Sequence, residues 1–180
     1  FRLDNTNKLI RFYANTDGLK TGFTSKAGFN LTATTKRNNL RLIAVVLGEP
    51  DSNTRFAEAR KLLDYGFANY ERVALDKKGE LVGNIVVKKG TKLQVTAAYG
   101  SDTSVLVAKG EKGKIEKEVI LEPELTAPIL KDQKVGEIIY KIDSEEVGRY
   151  DLVANESVNR VTFKKLFTRL VIRWFSIGRA

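Results

Sequence analysis

The stretch NTDGLKTGFTSKAGFNLTATTKRNNLRLIAVVLGEPDSNTRFAEARKLLDYGF, residues 15–67, decides how this chain is read. Its opening, NTDGLKTGFTSKAGFN, mixes glycines with lysines and hydroxyl side chains, and an apolar, sheet-like run follows at 31–47. Asn15, Asp17 and Gly18 supply a turn. FNLTATT at 29–35 alternates apolar and polar side chains, KRNN turns the chain, and LRLIAVVLG at 40–48 is almost wholly apolar after Arg41. Such a run predicts a strand covered on both faces. Just upstream, KLIRFY at 8–13 reads as one more short strand, which makes an antiparallel meander. From EPDSNTRF onward the period changes to that of a helix. Asp51 or Ser52 can cap its start, and Phe56, Ala59, Leu62, Leu63 and Phe67 share one face, so the helix is expected to lie on the sheet.

Composition narrows the chemistry. The 180 residues are 42% hydrophobic, ordinary for a globular core. There is no cysteine and no histidine, which removes disulfides, thiolate or histidine metal sites and Ser-His-Asp catalysis. Any catalysis must rest on Lys, Ser, Thr, Tyr or carboxylates, and no metal or cofactor is implied. The net charge of +9 is uneven: residues 1–70 carry 11 Lys/Arg against 6 Asp/Glu, 71–157 carry 14 against 16, and 158–180 carry 6 against none. Such basicity raises nucleic acid or an anionic membrane as partners. No RNP, zinc-finger or helix-turn-helix pattern supports nucleic acid. The start, FRLDNTNKLIRF, lacks an initiator Met and a signal-peptide pattern and reads as a chain entered part-way.

From Glu71 short strand-like runs recur at roughly ten-residue spacing: LVGNIVV, KLQVTAAY, SVLVAKG, KEVILEPE and EIIYKID. That pattern predicts a small all-β domain. Lys-Gly pairs at 78–79, 89–90 and 109–110 read as solvated turns. In the last segment Phe163, Leu166, Phe167, Leu170, Val171, Trp174 and Phe175 repeat at three and four, with Lys164, Lys165, Arg169 and Arg173 on the remainder. A helix over 158–176 would be roughly 28 Å long, and its charges suit the plane of an anionic membrane surface better than a span across it. Packing of this helix on its own protein or on a partner is the other reading.

The string DGLKTGFTSKAGFNLTATT at 17–35, with Lys20-Thr21-Gly22 at its centre, resembles the third motif of the low-molecular-mass penicillin-binding proteins, the serine D-alanyl-D-alanine carboxypeptidases. The likeness continues through LRLIAVVLGEPDSNTRFAEARKLLDYGF into the β-rich region and the terminal amphipathic segment. It implies an α+β chain. Residues 1–70 would be the C-terminal part of a transpeptidase-like domain, 71–153 a sandwich-like β domain, and 154–180 an amphipathic membrane-interface helix. The location it implies is the outer face of the cytoplasmic membrane.

The substrate implied is a peptidoglycan stem peptide ending in D-Ala-D-Ala, with β-lactams as acylating mimics. Lys20 and Thr21 offer a cation and a hydroxyl to its carboxylate. Gly22 clears space for a peptide that adds to the strand edge. The resemblance further assigns the backbone N–H of Phe23 to the oxyanion hole and places Arg55 near the substrate carboxylate, where the alternative is a solvated first-turn arginine. A phenylalanine at position 23 departs from the His or Tyr often found in relatives. The Ser-x-x-Lys nucleophile pair of the family occurs nowhere in the chain, and SVN at 157–159 follows the KTG motif instead of preceding it. The expectation is therefore a part of an enzyme whose nucleophile lies in an upstream half, inactive alone. The competing reading is a non-catalytic module for membrane docking or protein interaction; a serine β-lactamase fits less well because of the appended β domain.

Overall fold

A computed structural model describes residues 5–162. They fall into two compact units: one runs to Val73 and takes in Leu106–Gly113, the other holds Ala74–Val105 and the chain from Lys114 onward.

In the first unit KLIRFY is not a strand. Leu9–Phe12 form a single helical turn, α1. A strand would place Arg11 on the same face as Leu9 and Tyr13. The helical turn buries Leu9 and Tyr13 together and leaves Arg11 in water. The strands β1 (Thr16–Thr24), β2 (Gly28–Arg37) and β3 (Leu40–Glu49) make an antiparallel sheet in that order, with β1 at its edge. The β1–β2 turn closes on Gly28, whose φ is +65° and where an added Cβ would meet Glu49 O at 2.8 Å. Only glycine meets both conditions without strain.

The helix α2, Ser52–Asn69, begins at Asp51, whose carboxylate accepts from the backbone N–H groups of Asn53 and Thr54. Hydrogen bonds from the Thr54 hydroxyl and backbone hold that carboxyl below its usual range. Phe56, Ala59 and Leu63 are buried against Leu31, Ala33, Ala44 and Val46 of β2 and β3. Leu62, expected on the same face, is half-exposed, while Phe67 is partly buried. Complete burial of one such leucine contributes about 1.5–3 kcal/mol, so these contacts dominate the docking of α2.

The expectation that β3 is covered on both faces is corrected. Ala44 and Val46 point to α2, whereas Ile43, Val45 and Leu47 are 62%, 54% and 71% exposed. Strand alternation sends them to the opposite face, and no element among the described residues lies over it.

The rest of the chain is mostly strand, consistent with a sandwich-like domain: β4 (Tyr70–Ala74), β5 (Leu81–Lys88), β6 (Gln94–Tyr99), β7 (Ser104–Ala108), β8 (Glu116–Leu121), β9 (Glu124–Thr126), β10 (Lys134–Ile142) and β11 (Glu145–Ala154). Six of these form one sheet in the order β8-β10-β11-β6-β5-β9, antiparallel except for β5 with β9, and β4 pairs with β7. Ile85, Val87, Val95, Ile138 and Leu152 fill the second unit's interior. Within it Asp76 accepts hydrogen bonds from Tyr140 (2.7 Å) and Lys117 (2.6 Å), and Tyr140 also meets Thr103. Burial pushes the Asp76 carboxyl up, but the bonds from Lys117 and Tyr140 outweigh it and the net shift is downward.

Two further expectations change. The Lys89-Gly90 turn is not merely solvated: Gly90 is buried, bridges to Arg160, and would bring a Cβ to 2.7 Å from Lys92 O. Residues 158–162, assigned from sequence to the amphipathic helix, run extended, with Val158 paired to Ile129. The remainder of that helix, from 163 on, lies outside the described residues. No helix among the described residues is long and apolar enough to cross a membrane.

Candidate active site

The motif residues lie on the edge strand. Lys20 pairs with Thr32, Thr21 with Leu31, Gly22 with Asn30 and Phe23 with Phe29. Because facing residues of paired strands share a face, Lys20 lies with Thr32 and Val45 on the face away from α2. Its side chain is exposed, and its ammonium donates to Thr21 O at 2.6 Å. Thr21 points to the other face and is 9% exposed, with its hydroxyl 2.7 Å from that of Thr6.

Gly22 has open space where a side chain would go. An added Cβ would approach no closer than 3.8 Å, to Asn30 Cβ, an ordinary contact, and no positive φ demands glycine there. Packing within this chain therefore gives no reason for glycine at 22, unlike at 28. Phe23 is 58% exposed and leans on Phe29 at a ring separation of 4.3 Å. The hairpin is braced by Asn30, which donates to Gly28 O at 3.0 Å and accepts from Gly48 N–H at 2.9 Å.

Arg55 is not the solvated first-turn residue that sequence allowed as an alternative. It is 7% exposed and projects from the first turn of α2 toward the motif strand. Its Nη1 is 3.4 Å from both Gly22 O and Asn30 O, and Nη2 donates to Ser52 Oγ at 3.2 Å. Phe29 and Phe56 flank the guanidinium at 5.4 and 4.8 Å. Nε is buried with no hydrogen-bond partner, and no carboxylate among the described residues pairs with this cation. Buried guanidinium groups normally find an anion.

Lys20, Thr21, Gly22 and Phe23 are consecutive on one exposed edge, and Arg55 reaches the same strand from the α2 side. Ser157 and Asn159 of the SVN string serve the second unit's framework: Ser157 Oγ accepts from Lys131 N–H and Asn159 O from Thr91 N–H. Sequence reasoning missed the segment that braces β1 from upstream. Asn7 is 1% exposed, donates from Nδ2 to Gly18 O at 2.9 Å and accepts from Leu9 N–H. Two asparagines flanking Thr6, just ahead of α1, were the available signal.

An edge strand bearing Lys-Thr-Gly in a three-stranded antiparallel sheet and a helix supplying a buried arginine thus make up the candidate site, and the rest of the described chain is mostly strand. Comparison with known proteins gives the family. Residues 70–160 match the family described as penicillin-binding protein 5, C-terminal domain, and residues 1–51 match the D-alanyl-D-alanine carboxypeptidase family. The chain belongs to the penicillin-binding proteins of the D-alanyl-D-alanine carboxypeptidase type.

Among its relatives, D-alanyl-D-alanine carboxypeptidase DacF of Bacillus subtilis is 36% identical over 97% of this chain and 45% of its own length. DacD of Escherichia coli is 39% identical over 87% of this chain and 40% of its own length. Penicillin binding protein 5 from Haemophilus influenzae superposes with a TM-score of 0.74 at 34% identity, over 85% of this chain and 45% of that one. The chain thus spans somewhat less than half the length of the curated relatives it matches.

Proposed function

We propose that this chain is the substrate-carboxylate side of a serine D-alanyl-D-alanine carboxypeptidase, which removes the terminal D-Ala from peptidoglycan stem peptides through an acyl-enzyme and is acylated by β-lactams. The observation that carries the reading is Arg55: a buried cation that, among the described residues, has an unpaired Nε and no carboxylate partner, set against the backbone of Gly22. A ligand carboxylate supplies the missing anion. Lys20 and Thr21 add a second cation and a hydroxyl, and the open space at Gly22 admits a peptide backbone along the strand edge. Phe23 contributes its backbone N–H to the oxyanion hole, so a phenylalanine side chain serves there as well as another residue.

The Ser-x-x-Lys pair comes from an upstream half of the complete protein. The exposed face of Ile43, Val45 and Leu47, which also bears Lys20, is the surface that this half covers, closing a cleft over the lysine. The enzyme works at the outer face of the cytoplasmic membrane, where its basic C-terminal segment, with six Lys/Arg and no Asp/Glu over 158–180, favours anionic lipid.

Fluorescent penicillin tests this directly. It labels the complete protein, fails to label residues 1–180 alone, and labels the Lys20→Ala variant about 10²-fold more slowly. Covalent labelling of the isolated chain would show the nucleophile to be misplaced. Unchanged turnover of a D-Ala-D-Ala peptide by Lys20→Ala would favour a non-catalytic docking module instead.

A further inference from the structure

We infer that Thr6 is a positioning residue for Thr21: its hydroxyl donates to Thr21 Oγ1 and thereby turns the proton of Thr21 toward the bound carboxylate. This rests on the reading of Lys20 and Thr21 as the carboxylate grip. The two oxygens lie 2.7 Å apart across fifteen residues of chain. A threonine hydroxyl has one proton and two lone pairs. If Thr21 donated to Thr6, it would have nothing left to offer an anion, whereas a proton received from Thr6 leaves its own proton free and polarises it further.

Thr6 can do this because its backbone is held. Asn7, directly after it, is 1% exposed and donates from Nδ2 to Gly18 O at 2.9 Å, two residues before Lys20. Asn7 N–H donates to Asn5 Oδ1 at 2.9 Å, and Asn7 Oδ1 accepts from Leu9 N–H at 3.1 Å. The segment is thus laced to β1 on one side and to α1 on the other, and Thr6 is fixed between two asparagines. Thr6 itself is exposed. The hydroxyl pair therefore adds little to folding, which separates its positioning role from a structural one.

The test uses the complete protein and a soluble D-Ala-D-Ala peptide, with Lys20→Ala as the control for the underlying reading. Thr6→Val keeps the shape and removes the hydroxyl; Thr6→Ser keeps the hydroxyl. We expect Thr6→Val to lose about tenfold in kcat/KM at unchanged Tm and Thr6→Ser to recover to within about twofold of the parent. Full activity in Thr6→Val beside a crippled Lys20→Ala overturns the inference and leaves the functional reading intact. Equal losses in Thr6→Val and Thr6→Ser also overturn it, because side-chain packing and not the hydroxyl would then matter. Unimpaired Lys20→Ala brings down the reading on which the inference stands.

Discussion

Arg55 Nη1 lies 3.4 Å from the carbonyl oxygen of Gly22, so the first turn of α2 delivers a buried cation to the backbone of the motif strand. The contact is long for a strong hydrogen bond, and Nε has no partner among the described residues. The guanidinium is desolvated without full compensation, a condition that proteins retain where a ligand completes the pairing.

Replacing Arg55 by methionine should therefore separate stability from activity. Arg55→Met removes an incompletely paired buried charge and keeps most of the apolar bulk, so Tm is expected to hold or rise. In the complete protein kcat/KM for a D-Ala-D-Ala peptide is expected to fall about tenfold or more. A variant that unfolds and also loses activity would make Arg55 a structural residue.

Gly22 and Gly28 should respond oppositely to alanine. Gly22→Ala meets only an ordinary contact and should leave chain stability unchanged or raise it by about 0.5–1 kcal/mol, while impairing substrate turnover. Gly28→Ala forces a Cβ against Glu49 O at a φ of +65° and should cost at least about 1–2 kcal/mol in denaturant unfolding.

The Asp76 carboxylate should govern acid stability of the β-rich unit. Its folded pKa is depressed, so its stabilisation is complete above the unfolded carboxylate value of about 3.9 and is lost as pH falls through the lower folded value. Asp76→Asn should cost about 1–3 kcal/mol at neutral pH by disrupting the partners Lys117 and Tyr140. It should also flatten the dependence of Tm on pH in that acid window.

Tyr13 provides the alkaline counterpart in the first unit. Its phenol is buried and donates to Asp64 Oδ1 at 2.5 Å, and burial, reinforced by that carboxylate, pushes its pKa up to about 12. The folded state holds the proton longer than the unfolded chain, which releases it near 10. The contribution is whole below about pH 10 and is lost between about 10 and 12. Absorbance titration of wild type against Tyr13→Phe should show one phenol of this high pKa missing from the variant.

How much of this could be read from the chain depended on range. β2, β3, α2 and its Asp51 cap follow from short-period patterns and local hydrogen bonding, and the Lys-Thr-Gly string is legible as chemistry because its three residue types act together. The sequence of α1 reads as a strand because Leu9 and Tyr13 recur at a spacing common to both periods, and only the exposure of Arg11 separates them. β11 went unseen because charged residues interrupt its pattern, and its inward residues are fixed by pairing with β10 and β6.

The sequence by itself determined β2, β3, where α2 begins, and which motif the edge strand carries, since each depends on neighbours a few residues away. Only the tertiary structure decided that, among the described residues, Arg55 is buried and short of an anion, Thr6 touches Thr21, and one face of β3 lies open. Those facts arise where residues 15 or more positions apart meet, and burial and pairing there are properties of the assembled sheet and helix rather than of any window of the chain.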